Sequence, residues 1–174
     1  MAQPDSPPSG LIKELGLDSR LESMQDEEWG IEELYPPQTE ALPHSLSGKS
    51  LMLAAPTASG KSLVAYLTIV QRLISDLKVD LALYLVPLKA LGSEKFDELK
   101  EIASKVDLKV GLAMGDSGAE TRMIEDSDIL VCTSEKLDSI LRTRPELMER
   151  VRIVVSDEFH LLDNPERGPN LEIV

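Results

Sequence analysis

Two short strings hold residue types suited to nucleotide phosphates. The first is Ala55-Pro56-Thr57-Ala58-Ser59-Gly60-Lys61-Ser62. It closes with the Gly-Lys-Ser of a phosphate loop, whose opening Gly is here Ala55. The stretch Pro56, Thr57, Ala58, Ser59 and Gly60 would wrap phosphates, chiefly with backbone N–H groups, helped by the N-terminus of the helix that follows. Lys61 would sit on the β- and γ-phosphates and the Ser62 hydroxyl on Mg²⁺. The plain alternative is a small-residue turn with a chance Gly-Lys-Ser. The second string, Asp157-Glu158-Phe159-His160, closes an apolar run at 151–156. There Asp157 would hold Mg²⁺ through water, and Glu158 would polarise an attacking water as general base. The alternative is a solvated acidic pair opening a loop. His160 alone reads as a capping or packing histidine; within the tetrad it links the nucleotide site to moving parts.

The elements that must position these strings follow from hydrophobic pattern. Residues 51–55, 81–86, 110–114, 129–133 and 152–156 are short apolar runs, each of strand length. Between them lie helical patterns: Leu63, Leu67, Val70, Leu73 and Leu77 on one face, then 91–106 and 135–142. Strands alternating with helices predict an α/β fold with a doubly wound, mostly parallel sheet, and ligands bind beyond the C-terminal strand ends of such sheets. Both strings fall at such ends. Upstream, 11–28 has helical spacing broken by Gly16, and Pro36-Pro37 ends one element and starts a short helix through Ala41. The organisation read here is a flexible tail over 1–10, a helical segment over 11–48 and a nucleotide-binding domain over 49–174.

Bulk properties set bounds. The chain has 174 residues, 42% of them hydrophobic, enough for one domain with a real core. A single cysteine, Cys132, excludes an internal disulfide and favours a reducing cytoplasm. The start, MAQPDSPPSG, has neither the basic opening nor the apolar core of a signal peptide. No apolar run is long enough to span a bilayer, so no membrane is expected. The formal net charge of −13 argues against a generic basic nucleic-acid binder. Residues 1–50, with 10 acids against 3 bases, carry more than half of it. Elsewhere a local strip of lysines, hydroxyls and backbone N–H groups can still grip a phosphate backbone.

The loop at 55–62 and the tetrad at 157–160 resemble motifs I and II of superfamily 2 helicases of the DExH type. Tyr35-Pro36-Pro37-Gln38 resembles their Q-motif region, and Leu85-Val86-Pro87-Leu88-Lys89-Ala90-Leu91 their motif Ia. Gly115-Asp116 and Thr133-Ser134-Glu135-Lys136 resemble the later strand-contacting loops. With Arg167-Gly168-Pro169, the combination is most similar to the Ski-two-like branch, and within it to archaeal replication-fork repair helicases. The resemblance covers about residues 29–174.

It implies a RecA-like P-loop domain that uses ATP and Mg²⁺, with Gln38 reading adenine. It further implies that Pro87, Leu88, Lys89, Gly115, Asp116, Thr133, Ser134 and Lys136 lie along one nucleic-acid strand. Without the resemblance, Gln38 is an ordinary exposed helix-start residue, Lys89 a solvated surface lysine, and Thr133 and Ser134 helix N-caps. Trp29 reads as a packed core aromatic, with an aromatic platform for a base or adenine as the alternative. Phe159 stands where the family often has Ile, and Gly115-Asp116-Ser117 lacks the aromatic that often follows the Asp. The activity implied is that of an ATP-dependent 3′–5′ DNA helicase acting on single-stranded or forked DNA, in a cytoplasmic, nucleoid-associated setting. The alternatives are an RNA helicase of the same branch, a truncated non-catalytic binding module, or a P-loop kinase or transport ATPase.

A second RecA-like domain with its arginine fingers, and the Ser-Ala-Thr motif III, would follow motif II and are not in this sequence. In the family the motif III strand lies between the phosphate-loop strand and the motif II strand. The expectation is therefore a partial first domain, inactive or very slow alone, with two apolar strands facing a gap.

Overall fold

The computed structural model describes residues 15–24, 34–56, 59–76, 80–115 and 119–158. The chain divides into two compact units, residues 1–71 and 72–174.

The first unit contains α1 (Ser19–Met24), α2 (Pro36–Leu46) and all but the last turn of α3 (Lys61–Ser75). α1 is the described part of the helical pattern over 11–28. Arg20 folds onto Asp18 at 2.8 Å and holds its carboxyl down at about 2. Pro36 and Pro37 occupy the first two positions of α2, where a missing N–H costs nothing. That helix continues past the expected end at Ala41, through Pro43 to Leu46. Its buried face of Gln38, Ala41, Leu42 and Ser45 outweighs the single backbone hydrogen bond that Pro43 removes. α2 is tied to α3 by the buried pair Ser45 Oγ and Thr68 Oγ1, 2.7 Å apart.

Residues 51–56 form no strand, which corrects the expectation for 51–55. Leu51 is 41% exposed and Met52 76%. A strand exists only through ladder partners, and no described strand pairs with this stretch.

The second unit is a four-stranded parallel sheet in the order β2-β3-β1-β4. The strands are β1 (Leu81–Val86), β2 (Val110–Ala113), β3 (Ile129–Thr133) and β4 (Val151–Ser156). The helices are α4 (Lys89–Ser104), α5 (Ala119–Glu125) and α6 (Ser134–Thr143), with a short 3-10 helix, Pro145–Glu149. β1 and β3 are buried along their whole length, which is why they read as unbroken apolar runs. β4 closes the described sheet and alternates in exposure, with Val154 at 56%.

Leu83, Leu85, Leu130, Cys132 and Ala113 pack with Ile124 of α5 and Leu137 and Ile140 of α6 into one core. Burial pushes the Cys132 thiol up to about 12. Gly92 lets α4 approach: a Cβ there would lie 1.9 Å from Met114 Cε. All four strands run the same way, so residues 87–88, 115, 133–134 and 157–158 emerge at one end of the sheet.

Candidate nucleotide and nucleic-acid site

In the first unit the phosphate-loop residues Ala55, Pro56, Ser59, Gly60, Lys61 and Ser62 are described; Thr57 and Ala58 lie outside the described residues. α3 starts at Lys61, as the loop-then-helix pattern requires. Lys61 Nζ donates to Ala55 O at 2.7 Å and to Pro56 O at 3.0 Å. The ammonium thus folds over the loop's own carbonyls. These are weaker partners than a phosphate, which would bring charge to the same donor. Ser59 Oγ is buried and has no hydrogen-bond partner among the described residues. Such an orphan hydroxyl inside a phosphate loop fits an anion acceptor.

Gln38 does not match the plain alternative of an exposed helix-start residue: it is 3% exposed. Its Oε1 accepts from Tyr35 N at 2.8 Å, and its Nε2 donates to Gly60 O at 2.9 Å. The carboxamide therefore links the start of α2 to the phosphate loop. Gly60 is required there, because its φ is +72° and a Cβ would lie 2.1 Å from Gln38 Nε2.

In the second unit Asp157 and Glu158 follow β4. Asp157 N donates to Leu85 O at 3.0 Å, extending the ladder by one bond. Asp157 Oδ1 accepts from Glu158 N at 3.0 Å, and Oδ2 accepts from the Tyr84 hydroxyl at 3.1 Å. Each carboxylate oxygen keeps further acceptor capacity. Glu158 has φ +54°, a left-handed conformation uncommon for a side chain of its size. Phe159 and His160 lie outside the described residues, as do Trp29, Asp116 and Ser117.

Sequence reasoning passed over Tyr84. The available signal was a lone phenol in an otherwise apolar, fully buried strand, which must find a partner for its O–H.

Beside this, Pro87, Leu88, Lys89, Thr133 and Glu135 line an open cleft of about 390 Å³. Four of these five are residues expected along a nucleic-acid strand; Glu135 is an addition, and its carboxylate would repel phosphates. Leu88 and Lys89 are exposed. Thr133 is 4% exposed and Ser134 5%, so both sit deep. Thr133 also caps α6, its Oγ1 accepting from Lys136 N at 3.3 Å, which matches the capping alternative. Lys136 Nζ donates to Gly115 O, joining the loops after β2 and β3.

The residues fit a Mg²⁺-nucleotide. Magnesium keeps several waters and takes one or two carboxylates plus phosphates, not an all-protein cage. Asp157, one anchored carboxylate with spare acceptor capacity, is what such a site needs. No described helix is long and apolar enough to cross a membrane.

The model of the DEAD/DEAH box helicase family matches residues 35–174. A protein of Methanocella arvoryzae named ATP-dependent DNA helicase Hel308 is 44% identical over 93% of this chain, and one of the same name from Pyrococcus horikoshii is 42% identical over 94%. This chain spans 22% of the length of each. A crystal structure of the DUF1998 helicase MrfA bound to DNA and AMPPNP superposes with a TM-score of 0.79 at 31% identity, covering 92% of this chain and 23% of that one. A hypothetical ATP-dependent RNA helicase from Sulfolobus tokodaii, at 22% identity and a TM-score of 0.76, shares the fold.

Proposed function

Because this chain belongs to the DEAD/DEAH box helicase family, we propose that it forms part of an ATP-dependent 3′–5′ DNA helicase, acting on single-stranded or forked DNA. The observation that carries the reading is topological. One end of a parallel sheet presents both an anchored acidic pair, Asp157-Glu158, and a cleft lined by Pro87, Leu88, Lys89 and Thr133. Nucleotide chemistry and strand binding thus share the same strand ends. The relatives named as DNA helicases favour DNA over RNA.

In this reading Lys61 leaves the carbonyls of Ala55 and Pro56 for the β- and γ-phosphates, while backbone N–H groups of 57–62 wrap them. Gln38, Pro56, Thr57, Ala58, Ser59 and Gly60 line the nucleotide. For Gln38 to read adenine, its carboxamide must exchange the bonds to Tyr35 N and Gly60 O for the base. Ser62 and Asp157 would hold Mg²⁺. When bound, the ion neutralises charge on the phosphates. Glu158 takes the proton of the attacking water. His160 links this chemistry to the moving parts.

Pro87, Leu88, Lys89, Gly115, Asp116, Thr133, Ser134 and Lys136 follow the strand. A second RecA-like domain completes the site and closes on it, so that hydrolysis reopens the pair and moves the strand. A cytoplasmic, nucleoid-associated location fits a DNA substrate.

The test is ATP turnover by the full-length protein without nucleic acid, with single-stranded DNA and with single-stranded RNA. Strong stimulation by DNA, abolished by Lys61→Ala and by Glu158→Gln, is the expected result. Stimulation by RNA alone would move the reading to an RNA helicase. Indifference to both would leave a nucleotide site not coupled to strand translocation.

A further inference from the structure

Tyr84 stands near the middle of β1 and is 1% exposed. Buried this deeply, a phenol needs a partner for its hydroxyl, or it forfeits the hydrogen bond it had in water. That partner is Asp157 Oδ2, at 3.1 Å. The register explains how the two meet. Tyr84 lies beside Val155, so Asp157, two residues on, returns to the same face of the sheet.

The rest of Asp157 is held from its own neighbourhood. Its N–H is fixed to Leu85 O, and its Oδ1 accepts the N–H of Glu158. Of the two donors to the carboxylate among the described residues, Tyr84 is the one that comes from another strand. The Glu158 N–H turns with the backbone of the 157–158 corner, whereas the ring of Tyr84 is locked in a packed interior.

We propose that Tyr84 is a positioning residue, whose hydroxyl sets the direction in which the Asp157 carboxylate meets the cation of the bound Mg²⁺-nucleotide. The proposal rests on the nucleotide site described above. Tyr84 acts through Asp157. Hydrogen-bond partners behind a direct metal ligand typically contribute about 10–100-fold in metal affinity, and because Asp157 reaches the ion through water the lower end of that range applies.

The experiment uses the full-length protein with Mn²⁺ as probe, titrated by electron paramagnetic resonance in the presence of a saturating imido analogue of ATP. Tyr84→Phe keeps the ring and its packing and removes only the hydroxyl. The expected result is a loss of about tenfold in Mn²⁺ affinity, with unchanged affinity for the nucleotide analogue in EDTA and only the modest fall in melting temperature that one lost hydrogen bond brings. Asp157→Asn serves as the reference and loses at least as much. If Asp157→Asn loses Mn²⁺ affinity and Tyr84→Phe does not, the role of Tyr84 is overturned while the nucleotide site stands. If Tyr84→Phe weakens metal-free nucleotide binding to match, the hydroxyl serves the fold and the proposal is overturned. If Asp157→Asn changes nothing, the assignment of Asp157 fails, and the role of Tyr84 fails with it.

Discussion

Gly60 shows how much one residue decides. Its φ of +72° is open to glycine and strained for other residues, and the Gln38 amide occupies the place where a Cβ would stand. Gly60→Ala is expected to cost about 1–3 kcal/mol, from the left-handed backbone alone. The clash with Gln38 Nε2 adds to that. Gln38→Ala removes the clash and leaves the backbone strain, so the cost of Gly60→Ala measured in a Gln38→Ala background should be smaller than in the native one, but not zero. Urea unfolding of both single variants and the double variant checks this; a cost of zero in the Gln38→Ala background would show that φ at 60 relaxes freely. Lys61 and Gln38 make a related point. Both side chains are engaged with the phosphate loop's carbonyls, Lys61 with Ala55 and Pro56, Gln38 with Gly60. Nucleotide binding in the proposed mode is therefore an exchange of partners, not the filling of a rigid cradle.

Among the elements, α6 has the clearest boundary. Thr133 ends β3, and its side chain caps the helix through Lys136 N. The same residue lines the cleft. Thr133→Ala should lose about 1 kcal/mol of stability, the usual worth of such a cap. Thr133→Ser should keep it, as read from the midpoint of denaturation. If Thr133→Ala is neutral, the cap is not formed in solution. β4 is the element that most needs its surroundings. It pairs with β1 on one side, through a register shift next to Leu81, and leaves Val154 largely exposed. In a stretch like this, apolar composition gives strand propensity, but a neighbour must supply the ladder.

For the whole molecule, charge is the governing quantity. A net charge of −13 repels a phosphate backbone, so the strand binding proposed above would have to come from a few local contacts. The exposed Lys89, on the cleft, is one of the few cations in position to supply one. Lys89→Ala should weaken single-stranded DNA binding about equally for all sequences. It should also reduce the magnitude of the logarithmic salt slope by about 0.7, the value for one phosphate contact on a single strand. An unchanged slope, measured by fluorescence anisotropy across a salt series, would remove Lys89 from the strand path. In the proposed reading, Glu135 in the same cleft opposes tight binding, which suits a surface that releases the strand after each step.

Much of this protein was legible in its sequence, because local chemistry reports itself locally. A Gly-Lys-Ser at the start of a helix, an acidic pair after an apolar strand, and paired prolines opening a helix are all specified within a few residues. So were β1, β3 and β4, whose expected and observed limits agree to within one residue. Other features required the fold, since they join positions far apart in the chain. Tyr84 meets Asp157 across 73 residues, and Gln38 meets Gly60 across 22. Nothing near either position signals its partner. The run 51–55 erred for the same reason in reverse: its composition is that of a buried strand, but strand formation belongs to a pair of segments, and among the described residues that pair does not exist. Side-chain type and short-range spacing are properties of the chain; ladder partners and the second end of a long-range hydrogen bond are properties of the packed sheet.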